Sequence, residues 1–149
     1  MNKHLLSIAL VALLLSGCRK VLFSPERRLE GQWRLYKAER IGFLNRNNLD
    51  TEYKSGVFTF RNDGSAIYND GSVVMNGNWQ MRLDQDRSFN NNGDESTRNR
   101  TRFTLNLYNF NANRILNLDF DDCNFNLRNR FIAEYNTVTY RYRYEFRRE

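Results

Sequence analysis

Apolar and polar residues alternate along most of the chain beyond residue 30. The alternation is sharpest near the end, where Val138, Tyr140, Tyr142, Tyr144 and Phe146 interleave with Thr139, Arg141, Arg143, Glu145 and Arg147. A period of two puts the two sets on opposite faces of a strand. The same period marks Trp33 and Leu35 against Gln32 and Arg34, fading toward Arg40, and Phe58 with Phe60. It recurs over 66–68 and 73–75, at Trp79, Met81 and Leu83, at Phe103, Leu105 and Leu107, and at Leu116, Leu118 and Phe120. Cys123, Phe125 and Leu127 share one parity with Phe131, Ala133 and Tyr135, beyond a break at Arg128-Asn129-Arg130. Asn62-Asp63-Gly64, Asp70-Gly71, 109–113 and Asn136-Thr137 supply turns between these runs. Ser24-Pro25-Glu26 has the cap, first-turn proline and early acid of a helix start, predicting one turn to Leu29. Residues 42–53 and 84–100 lack the pattern; the first reads as a loop and the second, with almost no apolar content, as a long mobile loop. The prediction is an all-β, about eight-stranded antiparallel up-and-down barrel or barrel-like sandwich, each strand with one apolar and one polar face.

One segment departs from the alternation. Leu5 to Leu15 is eleven mostly apolar residues after a basic start at Lys3, the order of a secretory signal. As a helix it rises about 16 Å, short of a hydrocarbon core of roughly 30 Å. It ends in Leu15-Ser16-Gly17-Cys18, which resembles the lipobox of bacterial lipoproteins. That resemblance implies cleavage before Cys18, lipidation of Cys18 and anchoring of the chain to a membrane. Two or three acyl chains hold stably where one does not. The competing readings, an ordinary cysteine after an ordinary signal or a core helix over 5–15, do not account for the order of all three features. The division is then 1–17 signal peptide, 18–28 lipidated cysteine and basic tether, and 29–149 folded domain. Arg19, rather than an aspartate, follows the cysteine, which points to the outer membrane. No acidic run follows, which favours the periplasmic face of the cell envelope.

Composition narrows the function classes. The net charge is +6 and the pI about 9.6, values that invite nucleic acid as a partner. An envelope location argues against it, and in an alternating strand arginines and aromatics point to opposite faces and do not share one ligand. Lipid headgroups, lipopolysaccharide phosphates or acidic glycans suit a basic domain beside a membrane, and a mildly basic solvated surface is the plainer alternative. With Cys18 acylated, Cys123 has no partner for a disulfide and reads as a small core residue. The only histidine, His4, lies in the signal.

Leu29-Glu30-Gly31-Gln32-Trp33 opening the first strand, Phe58-x-Phe60 before Asp63-Gly64, and Gly77-Asn78-Trp79 opening a later strand together resemble the lipocalin-like lipoproteins of Bacteroidota. The resemblance is best from Leu29 to Leu83. It implies a barrel that the tryptophan after Gly-x plugs at one end, and a small apolar or amphipathic ligand bound inside. The chain lacks a Thr-Asp-Tyr motif and is shorter than larger lipocalins.

Candidate chemistry is sparse. Without a histidine base in the mature chain, histidine-assisted nucleophilic catalysis is excluded, and the domain reads as non-catalytic, with no cofactor. Asp119, Asp121 and Asp122 are the best candidates for a hard cation. An EF-hand loop from Asp119 would need glycine and glutamate where Asn124 and Arg130 stand, so the cluster reads as a solvated turn and no metal site is expected. Arg141, Arg143 and Arg147, with Arg128 and Arg130, could bind an anion, but the stripe reads rather as a charged outer face that stays solvated and discourages edge pairing. The candidate ligand-binding residues are the bulky inward set: Trp33, Phe58, Phe60, Trp79, Tyr140, Tyr142 and Tyr144, with Phe103 in the same lining. So many rings argue against a wide cavity. The alternative is an interaction module with a packed interior that joins an envelope protein partner through its loops or basic face.

Overall fold

A computed structural model describes residues 24–89, 92–126 and 128–149. The expected signal peptide, Cys18 and residues 19–23 of the expected tether lie outside the described residues, as does Leu127. A single helical turn, α1 (Pro25–Leu29), leads into β1 (Gly31–Ile41), β2 (Arg46–Asn48), a 3-10 turn at Glu52–Lys54, β3 (Val57–Phe60) and β4 (Ser65–Asn69). The chain continues through β5 (Val74–Phe89), β6 (Glu95–Asn109), β7 (Arg114–Phe120), β8 (Asp122–Phe125), β9 (Arg130–Asn136) and β10 (Arg141–Arg148). Every pairing is antiparallel, and the order is β7-β6-β5-β4-β3-β1-β10-β9-β8, with β2 added beside β1.

The fold is all-β and barrel-like, and its ladder does not close. The strands at the two ends of the order, β7 and β8, are consecutive in sequence and separated only by Asp121. One kinked run therefore pairs with β6 through its first half and with β9 through its second. The two edges are brought together by the chain and by the rings behind it, Phe120 of β7 standing 5.2 Å from Tyr144 of β10.

Alternation decides what the barrel encloses. Trp33, Phe58, Phe60, Met75, Phe103, Leu105, Phe120, Phe131 and Phe146 are all essentially buried. Each large side chain removed from water contributes on the order of 1.5–3 kcal/mol. Cys123 is buried among them, as expected from sequence.

Three expectations are corrected. Residues 84–100 are not a loop: the ladder of β5 and β6 runs on from Asp84↔Arg100 to Phe89↔Glu95 as a regular two-stranded arm. Opposite charges replace an apolar face there, with Arg100 2.9 Å from Asp86, Arg87 3.6 Å from Glu95 and Arg102 3.8 Å from Asp84; such cross-strand pairs support a ladder without a core. The runs at 73–75 and 77–83 are one strand, because Gly77 is no turn. A Cβ there would collide with the Asn106 carbonyl, so the missing side chain lets β6 approach. Residues 42–53 contain β2 and lead into the 3-10 turn, where β2 continues the sheet against Glu39–Ile41.

Candidate ligand-binding end of the barrel

The inward-facing side chains change character from one end of the barrel to the other. At the end that α1 covers, they leave no room. Leu29 and Trp33 are fully buried, and the Trp33 indole Nε1 donates to the Leu29 carbonyl at 2.6 Å. Behind Trp33 the rings pack edge and face: Phe131 edge-on at 4.8 Å, Phe146 stacked on Phe131 at 4.5 Å, and Phe103 edge-on to Phe60 at 5.7 Å. Trp79 joins Phe60 at 5.9 Å, its indole N–H donating to the Arg61 carbonyl at 3.0 Å. Each buried indole thus has a partner for its one polar group.

At the other end the inward set is tyrosine. Tyr135 and Tyr142, directly opposite in the β9–β10 register, stack at 4.6 Å, and Tyr144 lies 6.4 Å from Tyr135. Phe120 forms their floor, 6.0 Å from Tyr135. Across from them, Tyr53 stands edge-on to Tyr68 at 5.4 Å, and Tyr53, Val73, Leu118, Tyr135 and Tyr144 are only partly buried although they pack on the core. The phenols are held in their neutral form. Burial, followed by the neighbouring Tyr144 and Tyr142 hydroxyls, pushes Tyr135 up to about 12, and burial raises Tyr144, Tyr53 and Tyr68 as well. Tyr68 is anchored, its hydroxyl donating to the Glu52 carbonyl at 3.2 Å. Arg40 lies directly opposite Tyr142 across the β1–β10 ladder, so the two share a face. Its guanidinium sits over the Tyr140 ring at 4.8 Å, and its Nε is buried with no hydrogen-bond partner among the described residues.

The expected ligand-lining residues separate into two groups. Trp33, Phe58, Phe60 and Trp79, with Phe103, form the aromatic packing of the sealed end and middle; a ligand reaching Trp33, Phe58 or Phe60 would have to displace a ring. Tyr142 and Tyr144 are brought together in the open end. Tyr140 is not in the wall, since β10 begins at Arg141 and residues 137–140 form a turn in which Thr137 Oγ1 donates to the Tyr140 carbonyl at 3.0 Å. Sequence reasoning left out Tyr53, which lay in the presumed loop, and Arg40, where the alternation fades. It read Tyr135 and Tyr68 as strand residues only. For Tyr135 the signal was present, in its pairing parity with Tyr142.

The other candidates have structural partners. Asp121 accepts from the Asn136 backbone at 3.0 Å and lies 3.5 Å from Arg102, Asp122 lies 3.8 Å from Arg98, and the Asp119 carboxylate is 3.5 Å from the Thr104 hydroxyl. Among the described residues no group of three or more histidine, cysteine or acidic side chains is placed to hold a metal. Arg143 pairs with Glu134 at 3.7 Å and Arg147 with Glu145 at 3.0 Å. Burial pushes the Cys123 thiol far above its ordinary value, so it stays protonated and unreactive.

Compared with protein families, with curated proteins and with solved structures, the chain matches none.

Proposed function

We propose that this is a membrane-anchored lipoprotein whose lipocalin-like, non-catalytic domain binds a small amphipathic ligand at its tyrosine-lined end. The observation that supports this most is the asymmetry of the interior. Leu29, Trp33 and Phe131 near α1 are wholly buried, with Phe125 there partly buried, whereas Tyr53, Val73, Leu118, Tyr135 and Tyr144 toward the other end are partly exposed while still packed on the core. Rings left partly open receive an apolar body, and their hydroxyls orient a polar part. Arg40, whose buried Nε has no partner among the described residues, suits an acidic head group. The anchor rests on the Leu15-to-Cys18 pattern, with the outer membrane and its periplasmic face as the expected location; among the described residues no helix is long and apolar enough to cross a membrane.

The test is binding of a fluorescent fatty-acid analogue. Saturable uptake by the wild type, lost in Tyr142→Trp while the cooperative unfolding transition is kept, is the expected result. Equal uptake by both proteins would remove this end as the site.

The second reading, an interaction module for an envelope partner, is favoured by one observation. Leu83 and Phe89 are 64% and 70% exposed on the β5–β6 arm. It predicts co-purification with a partner that is lost when 84–100 is shortened; retention of every partner by the shortened protein would rule the arm out.

A further inference from the structure

Two turns at the tyrosine end carry side chains that their own geometry does not ask for. The β1–β2 hairpin closes where the Gly42 N–H donates to the Asn45 carbonyl at 2.8 Å, and the β9–β10 hairpin where the Thr137 N–H donates to the Tyr140 carbonyl at 2.8 Å. The residues enclosed are Phe43-Leu44 in one and Val138-Thr139 in the other. Such positions favour Gly, Asn, Asp and Ser, which supply the backbone conformations or the local hydrogen bonds of a tight turn. Phe43 is 99% and Leu44 91% exposed, and Val138 is wholly so. The turns are neighbours: Arg46, Ile41 and Arg141 lie in one row across β2, β1 and β10, and a side chain at Gly42 would meet the Tyr140 ring at 3.2 Å. Bulky apolar side chains thus stand in water on adjoining turns, where they add nothing to the packing of the fold.

Charge is set behind them. Over 37–49 and 134–143 the chain has five basic residues, Lys37, Arg40, Arg46, Arg141 and Arg143, against two acidic ones, Glu39 and Glu134. The acids are already engaged, Glu39 by Lys37 at 2.7 Å and Arg46 at 3.6 Å, and Glu134 by Arg143 at 3.7 Å. Asp121, which accepts from the Asn136 N–H, lies 3.5 Å from Arg102. The surplus is positive. Arg46 follows Phe43 by three residues and Arg141 follows Val138 by three, so these exposed arginines stand at most about 10 Å of chain behind the tips.

We propose that the two turns dock on a phospholipid bilayer with anionic headgroups. An amphipathic surface seats its apolar part about 5–10 Å into the boundary between headgroups and acyl chains, and its binding grows with the apolar area buried and with attraction to anionic lipid. The spacing of tips and arginines matches that depth, and basic residues at headgroup level are drawn to a negative surface. A protein partner fits less well. Protein interfaces have a close-packed apolar core inside a polar rim, whereas here separate tips rise from a basic base with Asn45, Thr137 and Thr139 beside them. The turns are at the end opposite α1, so this contact is distinct from any acyl chain on Cys18, and it needs no ligand within the barrel.

The experiment uses the full chain carrying Cys18→Ser, with residues 1–17 common to every variant. A reporter indole is introduced by Phe43→Trp, by Val138→Trp or by Leu83→Trp, the last on the arm that β5 carries away from the tyrosine end. Its quenching by brominated acyl chains is read on vesicles containing phosphatidylglycerol; Trp33 and Trp79 are buried, and the parent chain gives their background. Expected is quenching at 43 and at 138 but not at 83, and loss of the signal at 43 when Arg46→Gln and Arg141→Gln are added. All five positions are exposed, so the cooperative unfolding transition is kept. Absence of quenching at 43 and 138, equal quenching at 83, or quenching that vesicles of phosphatidylcholine alone reproduce in full overturns the proposal. So does an emission shift of the Phe43→Trp protein that grows with protein concentration in the absence of vesicles, which would assign the tips to a second copy of the chain.

Discussion

The two ends of this barrel use the same residue class to opposite effect. Beside α1, phenylalanine and tryptophan fill the interior and turn their faces and edges on one another, and the one polar atom of Trp33 is taken up by the Leu29 carbonyl. At the far end, tyrosines stack in pairs yet keep part of their surface open, over a floor formed by Phe120. The difference lies in the covering. At one end α1 lays Leu29 over Trp33, and at the other the 3-10 turn brings Tyr53 only to the side of Tyr68. An aromatic interior is therefore fully buried core where an element caps it and partly open where none does.

The largest effect that could break this contrast is at the cap. Trp33→Ala is expected to cost about 3–5 kcal/mol, read by denaturant unfolding. Leu29→Ala should cost about 2–3 kcal/mol and leave probe uptake at the tyrosine end unchanged; coupled loss of both would mean that the ends are not separate. Tyr142→Ala, at the open end, should cost about 1–2 kcal/mol, since Tyr142 is only partly buried and loses less than the full transfer energy. A cost equal to that of Trp33→Ala would contradict the open end.

Titration sharpens the same comparison. The Tyr135 phenol is raised from 10.0 to about 12, so its contribution to stability is complete below pH 10 and is lost as pH rises through about 12. An absorbance titration should show one late phenol that Tyr135→Phe removes. On the outer face, burial raises the Glu39 carboxyl, but the Lys37 ammonium 2.7 Å away and the charges of Arg46 and Arg143 more than offset this and hold it below the usual range. That contribution is present above the unfolded carboxylate value and is lost as pH falls through the lowered one. Glu39→Gln should flatten the acid side of the stability profile. The smallest effect belongs to the arm, where Arg100→Ala should change stability by at most about 1 kcal/mol, because its pair with Asp86 is solvent-exposed.

Period two made the barrel legible in the sequence: the parity of Trp33, Phe58, Phe60 and Phe146 is that of the buried face. It failed where something other than an apolar face specifies a strand. Asp84, Asp86, Arg98 and Arg100 form a ladder through charge, which an apolar pattern does not register. Val138 has the right parity but is fully exposed, since Thr137 turns the chain before β10 begins. The lining residues were legible in kind, but their division into sealed and open ends was not. That division depends on which elements lie over the barrel, and periodicity describes faces, not ends.

The most direct test of the central claim is native mass spectrometry of the Cys18→Ser protein produced in the periplasm, followed by solvent extraction, with Tyr142→Trp prepared in parallel. A reproducible excess mass of a small amphipathic molecule on the wild type, absent from Tyr142→Trp, is the result this account predicts. A bare polypeptide mass for both proteins, together with no saturable uptake of the fatty-acid probe, would contradict it.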